Sequence, residues 1–195
     1  IMIIGAVHAQ NLVYDANAQV RKVSSFRGVS VQSGIVLYLS QGKDQAVAVS
    51  ADEDKYVERI ITEVKDGVLK IRVDGKMWNN WNWGNKKLKA YVTVTELDYL
   101  GASGGSIAKI ADEVSVNDLK ADASGGSIIE GRLKGNKLDA ELSGGSIYKV
   151  DGTFNSVNID ASGGSIFKDY GFAVNSCAVE ASGGSIINLS VNKEL

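Results

Sequence analysis

Ser143-Gly144-Gly145-Ser146-Ile147 stands in the middle of a set of five. The same pentapeptide begins at Ser103, Ser124, Ser162 and Ser182, so successive copies lie 21, 19, 19 and 20 residues apart. A repeat at a fixed period of about 20 residues marks a solenoid, each repeat being one unit stacked on the next. The residues upstream of each copy show what the unit is. Five positions before the first Ser stand Leu119, Leu138, Val157 and Cys177. Three before it stand Ala121, Ala140, Ile159 and Val179, and one before it Ala123, Leu142, Ala161 and Ala181. Between them lie Lys120, Asp122, Asp139, Glu141, Asn158, Asp160, Ala178 and Glu180. Apolar and mostly polar residues alternate with period two, the pattern of a strand with one buried face.

Seven positions before the Ser is a column of Asn117, Asn136, Asn155 and Asn175. Asn tolerates the left-handed conformation and closes local turns, so this column predicts a second corner; stacked Asn side chains can also hydrogen-bond up a column. The Gly-Gly pair supplies positive φ, or room for close backbone approach, at the first corner. Ile107, Ile128, Ile147, Ile166 and Ile186 follow that corner and are expected to join the Leu and Ala columns in the core. Two corners and short strands in about 20 residues describe one coil of a β-helix, with neighbouring coils about 4.8 Å apart. The Leu and Asn spacing of a leucine-rich repeat, and its helical segment, are absent. No coil can bury its apolar residues alone, so stacking must make one continuous narrow core.

The chain has 195 residues, a net charge of −2 and a pI near 5.5. No basic excess points to a nucleic-acid partner. With no Pro and 22 Gly, the turns fall to Gly, Asn and Asp. The single Cys177 excludes an internal disulfide and reads as a small buried hydrophobe of its column. The only His is His8, which leaves no partner set for a Ser or Cys nucleophile.

Residues 1–9 read as the tail of a secretory signal: an apolar run ending in Val7-His8-Ala9, a small-x-small cleavage pattern before Gln10. The other reading is an ordinary buried first strand. The run is too short to span a bilayer, and no Cys follows the cut to carry a lipid. Residues 11–25 are polar and expected to be loosely held. Residues 10–96 then form an N-terminal β region continuous with the Ser-Gly-Gly repeats of 97–195. Within it Val29 and Val31, then Ile35, Leu37 and Leu39, then Val47 and Val49 alternate, with a turn at Gln41 to Asp44. Asp52 to Glu58 predicts one helical turn capped by Asp52. Ile60 to Val64 and Val68 to Val73 read as a hairpin about Asp66-Gly67. Leu88 to Thr95 is a further strand, and Leu97 to Ala102 leads into the first Ser-Gly-Gly copy.

Residues 77–85, Met-Trp-Asn-Asn-Trp-Asn-Trp-Gly-Asn, hold all three Trp of the chain. Trp78, Trp81 and Trp83 interleaved with Asn80 and Asn82 make a candidate sugar platform: flat apolar faces for a ring, amides for its hydroxyls. The competing reading is that the indoles cap an open end of the core, which a solenoid needs. Beyond Ile186, Leu189, Val191 and Leu195 look like the start of another coil. An open end there would be an edge hazard, and it points to a homo-oligomer formed through that end.

The pattern as a whole resembles the head GIN domain family of auto-transporter adhesin type. Phe26-Arg27-Gly28-Val29-Ser30-Val31, Ser33-Gly34-Ile35 and Leu39-Ser40-Gln41-Gly42 resemble its first strands, and Gly67-Val68-Leu69-Lys70-Ile71 its next hairpin arm. The Ser-Gly-Gly copies resemble its repeated coils. The resemblance implies an all-β, right-handed β-helix exported to the cell envelope, and it implies no enzyme or cofactor.

Asp122, Glu141, Asp160 and Glu180 form an outward acidic column two residues before the Ser. Like charges at strand spacing are unfavourable; Lys120, Lys149 and Lys168 nearby, or a bound divalent cation favouring oxygen ligands, would relieve them. The calcium-binding nonapeptide pattern is not present, having a different period and an Asp in its turn. The same carboxylates are a ladder rather than the isolated pair that a glycan-cleaving enzyme needs. The sequence thus predicts a non-catalytic, extracytoplasmic binding module whose partner is a glycan or a surface protein. Carbohydrate binding through the Trp loop is the alternative, and a glycan-active enzyme ranks below both.

Overall fold

The computed structural model describes residues 15, 17–75 and 87–191, with the backbone alone at 169–173 and 191. Its strands are β1 (Gln19–Val20), β2 (Gly28–Val31), β3 (Val36–Gln41), β4 (Ala46–Ser50), β5 (Ile60–Lys65), β6 (Val68–Val73), β7 (Lys89–Val94), β8 (Tyr99–Ala102), β9 (Ile107–Ser115), β10 (Asp118–Ala123), β11 (Ile128–Leu142), β12 (Ile147–Ala161), β13 (Ile166–Ala181) and β14 (Ile186–Val191). One helical turn, α1 (Asp54–Val57), separates β4 from β5. The candidate signal remnant at 1–9 and the Trp loop at 77–85 lie outside the described residues.

Each Ser-Gly-Gly-Ser is one tight corner. The first Gly of the five copies has φ between 60° and 64° and the second between 73° and 79°. Two consecutive left-handed residues define a type I′ turn, and the second Ser closes it by donating its N–H to the first Ser carbonyl at 3.3 Å. Corners stack through the backbone: the Gly126 N–H donates to the Gly144 carbonyl at 3.0 Å. A Cβ on Gly144 would lie 3.1 Å from the Gly125 nitrogen, so the first Gly is required by its neighbour as well as by its φ. The stack begins one coil earlier than the repeats. Ser33 and Gly34 have φ of 67° and 72°, and the Gly34 N–H donates to the Gly104 carbonyl at 3.0 Å.

Parallel pairing around these corners builds two walls. Wall A runs β6, β2, β8 and β10, then the C-terminal halves of β11, β12 and β13. Wall B runs β7, β3 and β9, then the N-terminal halves of β11, β12 and β13, and finally β14. Antiparallel β5 extends wall A beyond β6, and β4 and β1 extend wall B beyond β7. The chain does not climb in order: β2 and β3 enter first, and later strands add to both of their edges. The register is the one the repeat alignment predicts, Leu119 beside Leu138, Leu138 beside Val157 and Val157 beside Cys177. Leu138 and Val157 are fully buried and Cys177 is half-buried. The architecture is an all-β solenoid with the N-terminal region built into the same stack.

Several expectations are corrected. The Ile column is outside the core: Ile107, Ile128, Ile147 and Ile166 are half-buried and Ile186 is exposed. The residues beside it face inward, namely Ser106, Ser127, Ser146 and Ser165 before it and Ala108, Ile129, Tyr148 and Phe167 after it. Three of these buried Ser are satisfied by the neighbouring coil, the Oγ donating to the carbonyl of Ala102 from Ser127 (2.7 Å), of Ala123 from Ser146 (2.9 Å) and of Leu142 from Ser165 (3.4 Å), while the Ser106 hydroxyl has no protein partner. A hydroxyl that finds a carbonyl costs little to bury, and the parity of the strand then turns the Ile outward.

The Asn column marks a bend rather than a left-handed turn. None of these Asn has positive φ, and β11, β12 and β13 run unbroken through Asn136, Asn155 and Asn175. Asn136 and Lys137, then Asn155 and Ser156, are successive residues off the core, which shifts the parity and turns the strand. The side chains form a ladder, Asn155 Nδ2 donating to Asn136 Oδ1 (3.0 Å) and Asn175 Nδ2 to Asn155 Oδ1 (3.3 Å). The cap position of α1 is Glu53 rather than Asp52, and its side chain makes no capping bond.

Among its described residues the N-terminal stretch is anchored, at Asp15 and Arg21, rather than loosely held. Asp15 accepts hydrogen bonds from Lys89 Nζ and Tyr91 Oη, both at 3.0 Å, and Arg21 donates to the Val57 carbonyl at 2.9 Å. The hairpin at Asp66-Gly67 is as expected, with φ of 53° and 74°.

Candidate functional site

The alternation that buries Leu138 and Ala140 places Asp139 and Glu141 on the outside of wall A. There one column crosses eight strands in register: Glu63, Lys70, Ser30, Gly101, Asp122, Glu141, Asp160 and Glu180. Its last four members are the acidic column read from the sequence. Three of these, Asp122, Glu141 and Asp160, line a shallow groove of about 260 Å³ with the corner serines Ser124, Ser143 and Ser162 and with Ala123 and Leu142.

The carboxylates do not share one environment. Asp122 is half-buried beside Tyr99. Burial first, and then the charge of Glu141, raise its pKa above the ordinary Asp value, against the opposing pull of Tyr99 and Lys120. Tyr99 folds across Gly101, its Oη 2.6 Å from where a Cβ would be. Burial first, and then the Asp122 charge, push its phenol up to about 12. Lys120 spans the column, 2.8 Å from Glu141 and 3.8 Å from Asp122. The expected relief by Lys149 and Lys168 does not occur, since both lie on wall B beside Glu130 and Asn188. Among the described residues no ion pair reaches Asp160 or Glu180. No group of three or more Asp, Glu, His or Cys among the described residues is arranged to hold a metal ion. One carboxylate per coil spreads the charge along a line, whereas a hard cation wants six or more oxygens around a point.

Wall B presents a different surface. Val36, Ile107, Ile128, Ile147, Ile166 and Ile186 are in register on its outside, one per coil. The next outer column is Tyr91, Tyr38, Lys109, Glu130, Lys149 and Lys168. Tyr38 and Tyr91 stack at 5.3 Å between ring centres, and Lys109 pairs with Glu130 at 3.0 Å. The outward Ile set was missed from sequence because a Ser counts as polar, and only the inter-coil hydroxyl bond shows that it faces in.

A third feature is a cleft of about 690 Å³ where β2, β6 and β8 begin, lined in part by Phe26, Arg27, Gln45, Glu96, Asp98 and Tyr99. Arg27 is held across its mouth by Asp98 (2.7 Å) and Glu96 (3.2 Å). The candidate ligand residues Trp78, Trp81, Trp83, Asn80 and Asn82 fall in the sequence between β6 and β7, outside the described residues.

A solenoid with long ordered outer walls defines the class of the protein: an all-β repeat domain. The family described as "Putative auto-transporter adhesin, head GIN domain" matches residues 25–195, and the chain belongs to it. Solved structures share the fold. A "putative adhesin" from Parabacteroides merdae superposes with a TM-score of 0.63 at 15% identity, over 88% of this chain and 79% of its own. A "putative adhesin" from Parabacteroides distasonis gives 0.63 at 17%, over 88% and 80%. A "putative lipid binding protein" from the same species gives 0.60 at 18%, over 93% and 98%. No curated protein matches the sequence. Among the described residues no helix is long and apolar enough to cross a membrane.

Proposed function

We propose that this chain is a non-catalytic binding module of the cell envelope or cell surface, exported and adhesive in role. The observation that carries the reading is the family match, which spans both walls and every corner of the stack. The walls support it: side chains repeat at strand spacing along a rigid surface, the kind of extended face that repeat proteins use for binding. No general acid and base converge in the groove of wall A, and its carboxylates line up one per coil. The test is protease treatment of intact producing cells, with mass spectrometry of the mature N-terminus. A protected, unprocessed chain would defeat the export reading, and turnover on a panel of acidic glycans would defeat the non-catalytic one.

Carbohydrate is the second ligand class, because Trp78, Trp81 and Trp83 are interleaved with Asn80 and Asn82 in the sequence, flat apolar faces beside amides. A glycan array comparing the wild type with Trp81→Ala decides it. Loss of all glycan signal in the variant is expected, and equal signal would return the indoles to a capping role.

A further inference from the structure

The outside of wall A is electrically polar from one end to the other. At the β5 and β6 end it carries Lys65, Lys70 and Arg72, of which Arg72 pairs with Glu63 at 3.2 Å. At the β12 and β13 end it carries Asp160 and Glu180, preceded on β11 by Asp139 and Glu141. The middle strands β2 and β8 present Ser30, Gly101 and Tyr99, and the Arg27, Glu96 and Asp98 charges where they begin are paired with one another. Two cations stand at the acidic end, Lys120 beside Asp122 and Glu141 and Lys137 paired with Asp139 at 2.8 Å, and among the described residues no ion pair reaches Asp160 or Glu180. The column therefore holds carboxylates that its own coil neighbours do not neutralise, and the same wall carries the complementary charge several strands away.

We propose that wall A is a self-association surface, on which a second copy of this chain docks antiparallel about a two-fold axis. An axis passing between β8 and β10 lays β6 against the partner's β12 and β5 against the partner's β13. The basic end of each copy then meets the acidic end of the other, twice, as an isologous interface requires. Tyr99, folded across Gly101, lies beside the axis and faces the partner's β10, and the head-to-head alternative would set carboxylate on carboxylate. Such an interface is governed by charge, so it is steered and salt-sensitive rather than held by apolar burial. It is distinct from pairing at the open end of the solenoid, which would be indifferent to wall A.

The experiment is sedimentation of the full chain at low and high salt, with a charge-swap pair. The wild type should dimerise at low ionic strength and weaken by about tenfold or more toward 0.5 M salt. Lys70→Glu with Arg72→Glu should be monomeric, and so should Glu141→Lys with Glu180→Lys. Mixed in equal amounts, the two variants should recover the dimer, because each then offers what the other lost. That recovery cannot come from misfolded chains. A wild type monomeric at every salt concentration overturns the proposal, as does a dimer that survives in both variants or a mixture that stays monomeric. The wild-type salt series stands on its own if a variant fails to fold.

Discussion

The residue that most constrains this chain is the first Gly of each corner. Both Gly of the pair need positive φ, but only the first is pressed by the corner below. Gly144 would bring a Cβ to 3.1 Å from the Gly125 nitrogen, while a Cβ on Gly145 meets nothing within 4 Å. Asn tolerates left-handed φ. Gly145→Asn should therefore cost under about 1 kcal/mol, and Gly144→Asn about 2 kcal/mol or more, since backbone must move; urea titration of the two variants checks this. Tyr148 is a second such point. Its ring stacks on Phe167 at 5.0 Å, is fully buried, and its hydroxyl has no protein partner. Burial without a partner is costly, so Tyr148→Phe should leave Tm unchanged or raise it, and a fall of several degrees would count against this packing. Asp15 is the third. Burial would raise it, but hydrogen bonds from Ser50, Lys89 and Tyr91 win and hold it at about 2, below its ordinary 3.8. A lowered carboxylate stabilises the fold fully above its unfolded value and loses that contribution as pH falls through the folded one. The acid limb of the stability curve should thus flatten between about pH 4 and pH 2 in Asp15→Asn, with lower stability at neutral pH.

At the scale of the element, the strand preceding each corner was legible and the one following it was not. Leu138, Ala140 and Leu142 alternate with charged residues, and the buried set is the one the alternation names. After the corner, Ser146-Ile147-Tyr148 reads as a polar residue and then an apolar pair, and periodicity alone cannot decide which of the pair faces in. The inter-coil bond from the Ser146 hydroxyl decides it. Leu138→Ala should accordingly cost roughly 2–5 kcal/mol, whereas Ile147→Thr, on a half-buried outer column, should cost no more than about 1 kcal/mol. Equal losses in thermal melts would mean that the two columns are interchanged. The Asn column shows the same division. Its position was readable, but its conformation follows from the ladder of side-chain hydrogen bonds, which needs the coil above and the coil below.

At the scale of the molecule, the stack is one core shared by the repeats and the N-terminal region. The coil of β2 and β3 lies between that of β6 and β7 and that of β8 and β9, so strands distant in sequence are adjacent in space. Disruption at one coil should spread: Leu138→Asp is expected to abolish a single cooperative transition rather than melt one repeat. Separate transitions in calorimetry for the N-terminal and repeat regions would contradict the continuous core. The same continuity makes wall A electrically polar, because the basic hairpin of β5 and β6 is delivered to the opposite edge from the acidic coils.

The amino-acid sequence by itself determined the repeat, its period, the corner and the inward columns of wall A, because these depend on φ preferences and on an alternation local to one strand. It also placed the acidic column, since one residue per coil at a fixed offset must line up once the coils stack. Tertiary structure alone decided which face the isoleucines take, how the Asn column is bent, where Lys149 and Lys168 point, and which coil the first strands join. Those outcomes depend on hydrogen bonds and pairings between residues far apart in the chain, and no local pattern encodes the identity of a partner that only stacking supplies.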